Sequence, residues 1–200
     1  MPTASVPRSR LAPDARREQI LQCAIRVFAE RSYSDVSTSD LAREAGVTRS
    51  LINHYYGDKR GLYLVVVRKM VMMPRGSLDA IEADNLRPRV DASIDRILEV
   101  AVTYGRAWVR FSGAGGISDD PEVAEIVTAA DDRAAELVLE ALGFDITSPE
   151  GARLRTLVRA FASLVKAACR EWLVEGNLTR DDAHLLLSTT LTALITTETE

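Results

Sequence analysis

Histidine and cysteine are almost absent from this chain of 200 residues, with two of each. The two histidines, His54 and His184, lie far apart in sequence and have no Ser or Cys nucleophile motif beside them, so neither reads as a general base. No HExxH motif and no cysteine-rich spacing offers a metal site, so no metal and no cofactor are expected. Gly113, Gly115 and Gly116 lack the lysine and the strand-to-helix setting of a phosphate-binding loop, and an enzyme is not expected. Cys23 and Cys169 are too few and too distant for a disulfide framework. Each sits in an apolar helical pattern, Cys23 with Ile20, Ala24 and Val27, and Cys169 with Val165, Trp172 and Leu173, so both are expected in the core. Long apolar runs are missing as well. The longest aliphatic stretch, Leu64 to Val67, falls far short of the roughly 18 residues that span a bilayer. No charged-then-apolar leader opens the sequence, and the expectation is a cytoplasmic protein without a membrane partner.

What is present is an ordinary globular composition, 46% hydrophobic with mean hydropathy near zero, enough for a sizeable core. The net charge of −4 is unevenly divided. Residues 1–60 hold 10 basic and 7 acidic side chains, a balance of +3, whereas residues 61–200 hold 15 and 22, a balance of −7. A short basic module on an acidic body is the asymmetry expected when one end meets phosphate and the rest does not.

Residues 1–13 mix Pro, Ser and Arg without periodicity and read as a flexible arm, from which Arg8 and Arg10 are in reach of a minor groove. Helical periodicity starts at Asp14, where Ile20, Leu21, Ala24, Ile25, Val27 and Phe28 share a face up to about Arg31. Ser37 is placed to cap a short helix to Ala45, a third helix covers Thr48 to Tyr55 or Tyr56, and Asp58 caps a fourth from Lys59 to about Met73. Four longer helices follow. The first starts at Pro88 and carries Ile94, Leu98, Ala101, Tyr104, Trp108 and Phe111; the second opens at Asp120 and Pro121 and stops at Gly143. The third runs from Ser148 and Pro149 through Val158, Phe161, Val165 and Trp172 to Gly176. The last is capped by Thr179 and Asp182 and buries Leu186, Leu187, Leu191 and Leu194. No strand alternation is found, so the fold class is all-α: a helix-turn-helix domain over residues 14–60 and a larger helical domain over 61–200.

The informative stretch is STSDLAREAGVTRSLINHYYGDK, Ser37 to Lys59, which meets the demands of a helix-turn-helix one by one. Ala42 is small where the two helices come closest, Gly46 stands at the turn, and Leu41, Ala45, Val47 and Ile52 supply the shared apolar contact. This leaves Thr48, Arg49, Ser50, Asn53 and Tyr55 on the other face of the second helix. Those side chains suit a major-groove reader: arginine pairs with guanine O6 and N7, asparagine with adenine, and hydroxyls with bases or phosphates. Lys59 adds a charge for the DNA backbone, next to a helix N-terminus whose amides attract phosphate.

The segment resembles the DNA-binding domain of TetR-family regulators. It matches the family pattern in Asp40-Leu41-Ala42-Arg43-Glu44-Ala45-Gly46-Val47-Thr48, then Tyr56-Gly57-Asp58-Lys59 and Leu62, over roughly residues 14–70. The resemblance implies that Tyr56 packs the third helix on the first and that Lys59 touches a phosphate; Ser37, besides capping, is counted among the candidate DNA contacts. Two positions depart from the family pattern. Ser32 stands where a glycine often follows the first helix, and Asn53 where a tyrosine commonly meets the phosphate backbone, a contact for which Tyr55 is the nearby substitute.

The resemblance further implies a homodimer on palindromic operator DNA, a repressor released by a small, largely apolar effector, and an effector pocket in the C-terminal helices. The wide apolar faces of the last two helices agree with pairing. Aromatic and soft side chains that suit such a pocket are Met70, Met73, Tyr104, Trp108, Phe111, Phe161 and Trp172. Arg106 and Arg110, one turn apart, are in position for a carboxylate but read better as a solvated face, and Arg155, Arg159, Lys166 and Arg170 read as rim or surface. The competing expectation keeps DNA binding and gives the C-terminal domain to protein interaction without a ligand.

Overall fold

The computed structural model describes residues 12–73, 78, 85–112 and 120–196, and every regular element among them is helical. Contacts divide the chain into two compact units, residues 1–66 and 67–200. Arg8, Arg10, Pro74, Gly76, Gly113, Gly115 and Gly116 lie outside the described residues, as do the side chains of Tyr104, Arg106 and Arg110. Among the described residues no helix is long and apolar enough to cross a membrane.

The first unit holds α1 (Pro13–Glu30), α2 (Thr38–Ala45), α3 (Arg49–Tyr56) and the start of α4 (Lys59–Val71). Proline suits the first position of α1 because its missing N–H has no acceptor there. Ile20, Leu21, Cys23, Ala24, Val27 and Phe28 of α1 are buried, the three- and four-residue spacing of one face. The chain leaves α1 with Arg31 at φ −123° and Ser32 at φ −64°, both extended, so this exit needs no glycine and Ser32 fits it without strain. A single tight turn, Tyr33–Asp35, follows. There Tyr33, Phe28 and Tyr63 form an aromatic cluster, with Phe28 and Tyr63 edge to face at 5.0 Å and Tyr33 and Tyr63 at 4.9 Å.

The second unit holds the end of α4, then α5 (Leu86–Ser112), α6 (Pro121–Leu142), α7 (Pro149–Arg170) and α8 (Arg180–Thr196). Local signals set most of their boundaries. Asp120 accepts the amides of Glu122 and Val123 ahead of α6, Ser148 accepts that of Gly151 ahead of α7, and Thr179 and Asp182 cap each other ahead of α8. Pro88 falls inside the first turn of α5, which begins two residues earlier than its proline suggests. α7 does not stop at Arg170 but widens into a π turn over Glu171–Glu175, and the Asn177 amide then donates to the Glu171 carbonyl at 2.9 Å.

The core of this unit gathers Ile94, Leu98, Leu139, Leu154, Leu187, Leu191 and Ile195, all at most 1% exposed. On α8 the inward stripe is Ala183, Leu187, Leu191 and Ile195, a strict four-residue step. Leu186 is therefore not buried as its apolar character suggested: one residue off that stripe it is turned about 100° away and stays 40% exposed, and Leu194 is half-buried.

Candidate functional site

The first candidate site is built on α2 and α3. Ser37 and Asp40 close a capping box at the head of α2: the Asp40 amide donates to Ser37 Oγ at 3.1 Å, and Ser37 donates from its amide at 3.1 Å and its hydroxyl at 2.6 Å to Asp40 Oδ2. These bonds to Ser37, with Arg43 adding another, hold the Asp40 carboxyl down at about 2. At the other end of α2, Gly46 adopts φ 64°, ψ 33°, a left-handed conformation that a Cβ penalises. Its amide and that of Val47 recover the last carbonyls of α2, the Val47 amide reaching Ala42 at 2.9 Å. Thr48 then caps α3 by accepting the Leu51 amide at 3.3 Å.

The rest of the unit fixes this pair in place. Leu41, Ala42, Ala45 and Ile52 are at most 5% exposed and form the joint. Gln19 of α1 donates to the Ala45 carbonyl at 3.0 Å, and the Tyr56 hydroxyl donates to the Arg17 carbonyl at 2.7 Å, which ties α3 to α1. Arg17 also lies over the Tyr56 ring at 5.7 Å. Burial pushes the Tyr56 phenol above its ordinary value, so it stays a donor.

With that face used for packing, Thr48, Arg49, Ser50 and Asn53 are exposed together along α3. Arg49 is steadied by Ser39 of α2 at 3.2 Å, and the Thr48 and Ser50 hydroxyls share a hydrogen bond at 3.0 Å. Tyr55 is half-buried, between His54 at 5.2 Å and Tyr56 at 6.5 Å, so it sits at the flank of this face and not on its crest. The exposed imidazole of His54 joins the face, a residue that sequence reasoning passed over because histidine was weighed only as a catalyst.

Lys59 stands differently from a free phosphate contact. Its ammonium donates to the Tyr33 and Val36 carbonyls at 2.9 and 2.8 Å and lies 3.8 Å from the centre of the Tyr33 ring. It is half-buried and ties the turn after α1 to the head of α4. The Asp58 carboxylate accepts the Gly61 amide at 2.7 Å, so the N-terminus of α4 already carries an anion.

The second candidate site is a cavity of about 70 Å³ inside the second unit. Of the residues expected there, Met70, Met73, Trp108 and Phe161 line it. Phe111 is buried at 3% exposure but belongs to the packed core, Trp172 is half-buried on the π turn away from the lining, and the Tyr104 side chain is outside the description. The wall is otherwise aliphatic, from Ile97, Val127, Val138, Val158 and Val165, with Asp131 and Lys166 as its charged members. Those two bond across α6 and α7 at 2.5 Å, part of a ladder continued by Arg159 with Asp132 at 3.2 Å and Arg155 with Glu136 at 3.3 Å. The cysteines take no part: burial pushes Cys169 up to about 12 and raises Cys23 as well.

A short capped helix, a left-handed glycine and a second helix with an exposed polar face define a helix-turn-helix DNA-binding protein. Residues 20–66 match the model of the bacterial regulatory proteins of the tetR family, and the chain is similar to transcriptional regulators of that family. Among curated relatives, the HTH-type transcriptional regulator BetI of Stenotrophomonas maltophilia is 27% identical over 135 residues, 64% of this chain and 67% of its own length. The HTH-type transcriptional activator FasR of Mycolicibacterium smegmatis is 26% identical over 168 residues, 82% of this chain and 75% of its own. In fold, a tetR-family regulator from Streptomyces coelicolor superposes with a TM-score of 0.73 at 22% identity, covering 94% of this chain and 83% of that one. NalD of Pseudomonas aeruginosa, a secondary repressor of the MexAB-OprM multidrug efflux pump, gives 0.63 at 19% identity, covering 91% and 97%.

Proposed function

We propose that this chain acts in the cytoplasm as a homodimeric repressor: residues 14–60 grip a palindromic operator, and residues 61–200 pair the chains and release the DNA when a small apolar effector fills the cavity. The observation that carries the DNA half is the joint exposure of Thr48, Arg49, Ser50 and Asn53 on a helix whose opposite face is fixed. One such helix reads few base pairs, so adequate affinity asks for two, one per half-site.

Pairing is supported by α8. From Ala183 to Thr196 it carries no Lys, Arg, Asp or Glu, yet Leu185 is 63% and Leu186 40% exposed in the single chain. An uncharged exposed face of this kind on α8 suits a four-helix interface between two copies of α7 and α8. Effector release is supported by the cavity, since Met70, Val71 and Met73 at the end of α4 form part of its wall. A ligand that prefers one placement of those residues shifts α4, whose first turns belong to the DNA-binding unit. An open, apolar cavity weighs against a C-terminal domain devoted to protein interaction alone. NalD's name favours repression and FasR's activation, so repression rests on the release mechanism rather than on kinship.

Footprinting on the DNA upstream of the protein's own gene, together with light scattering, tests this reading. Two protected half-sites about one helical turn apart, bound by two chains, are expected. Leu186→Glu is expected to give a folded monomer with at least tenfold weaker binding. A monomer in the unsubstituted protein, or one unpaired footprint, overturns the dimeric reading.

A further inference from the structure

The cavity's one ionic feature among the described residues is asymmetric in a way that points to a class of ligand. Asp131 and Lys166 are each about a fifth exposed, 21% and 17%, and each is the other's ionic partner among the described residues. Their neighbours on the same helices are engaged elsewhere: Asp132 holds Arg159, and Glu136 holds Arg133 and Arg155. The carboxylate of Asp131 hangs on one methylene from the rigid helix α6 and has little freedom to leave the wall. The ammonium of Lys166 ends a four-carbon stem that can carry it to solvent while the stem keeps its apolar contacts.

An incoming anion would compete for Lys166 with Asp131 still beside it, two carboxylates on one ammonium. An incoming ammonium meets no such conflict, because it takes the place of the Lys166 head on Asp131 and the lysine withdraws. Trp108 and Phe161 add aromatic faces to the same chamber, a setting that favours an organic cation over its neutral counterpart.

Resting on the reading of this chamber as an effector site, we infer that the ligand is an amphiphilic amine: an alkyl or arylalkyl body in the apolar chamber and a protonated amine that replaces the Lys166 ammonium on Asp131. Exchange of one ammonium for another keeps the half-buried carboxylate paired throughout, so binding does not require an uncompensated charge.

The test compares three probes with one body, phenylbutylammonium, phenylbutanol and phenylbutyrate, titrated calorimetrically into the full chain with tryptophan fluorescence in parallel. The ammonium is expected to bind at least tenfold more tightly than the alcohol, and phenylbutyrate more weakly than either. Asp131→Asn is expected to abolish the preference of ammonium over alcohol while leaving alcohol binding intact, and Lys166→Met to strengthen ammonium binding severalfold by removing its competitor. Equal binding of ammonium and alcohol, or preference for phenylbutyrate, in the unsubstituted protein overturns the amine assignment yet leaves the chamber a ligand site. No binding of any probe overturns both. The comparison on the unsubstituted protein decides the matter even where a variant fails to fold.

Discussion

At Gly61 an added methyl group would stand 2.2 Å from the Tyr56 carbonyl oxygen, closer than atoms approach, and that oxygen is backbone at the end of α3. Gly61→Ala is therefore expected to destabilise the DNA-binding unit by more than about 2 kcal/mol, as a forced backbone shift in a packed joint does. Thermal unfolding followed by circular dichroism checks this; an unchanged melting temperature contradicts the close approach. Lys59 makes a separable prediction. Because its ammonium holds two carbonyls, Lys59→Met is expected to lower stability by about 1–3 kcal/mol through their loss of a charged donor. A pure phosphate contact would instead leave stability untouched and reduce only DNA affinity and its salt slope. Residue roles set by near neighbours, such as the caps Ser37 and Thr179, were legible in the sequence. That of Lys59 was not, because its acceptors lie 26 and 23 positions earlier and only the fold brings them round.

The elements obey local chemistry at nearly every end, which is why all the helices of the sequence reading recur within a few residues. α2 shows what such an end contributes. Asp40 titrates at about 2 in the folded chain, below the roughly 3.9 of a free aspartate, because Ser37 and Arg43 bind its ionised form. A depressed folded value means that the cap's contribution is complete above about pH 4 and is lost as pH falls toward about 2. The helix signal of the unsubstituted protein is thus expected to fall over that interval, and that of Asp40→Asn, already weaker at neutral pH, to change less there. Parallel acid profiles would contradict the role given to the capping box. What the pattern of apolar residues left open was rotation about the helix axis. It placed Leu187 and Leu191 of α8 inward but also Leu186, which is exposed, and it left Lys166 on the surface when the rotation of α7 brings it to Asp131 at the cavity wall. A stripe wide enough to include Leu186 and Leu194 is equally compatible with a buried flank or with a face kept for another chain.

For the whole molecule, the charge division of the sequence agrees with the function proposed from the Ser37–Lys59 stretch. The basic balance lies with residues 1–60, which carry the exposed face of α3, and the acidic balance lies with residues 61–200. Three of the cavity's walls, at the end of α4 and on α5 and α7, carry the expected aromatic and methionine residues Met70, Met73, Trp108 and Phe161, whereas Phe111 and Trp172 are absent from its lining. Helical spacing records that a side chain is turned inward; whether it meets a neighbour or an opening depends on how the helices cross. The central claim, that the polar face of α3 reads DNA, is tested most directly by fluorescence anisotropy on the upstream DNA across a salt series, with Arg49→Ala and Asn53→Ala alongside. Saturable binding that prefers this DNA, weakens steeply with salt and drops by about tenfold or more in each folded variant is the predicted result. Binding indifferent to DNA sequence and unchanged in both variants would contradict it.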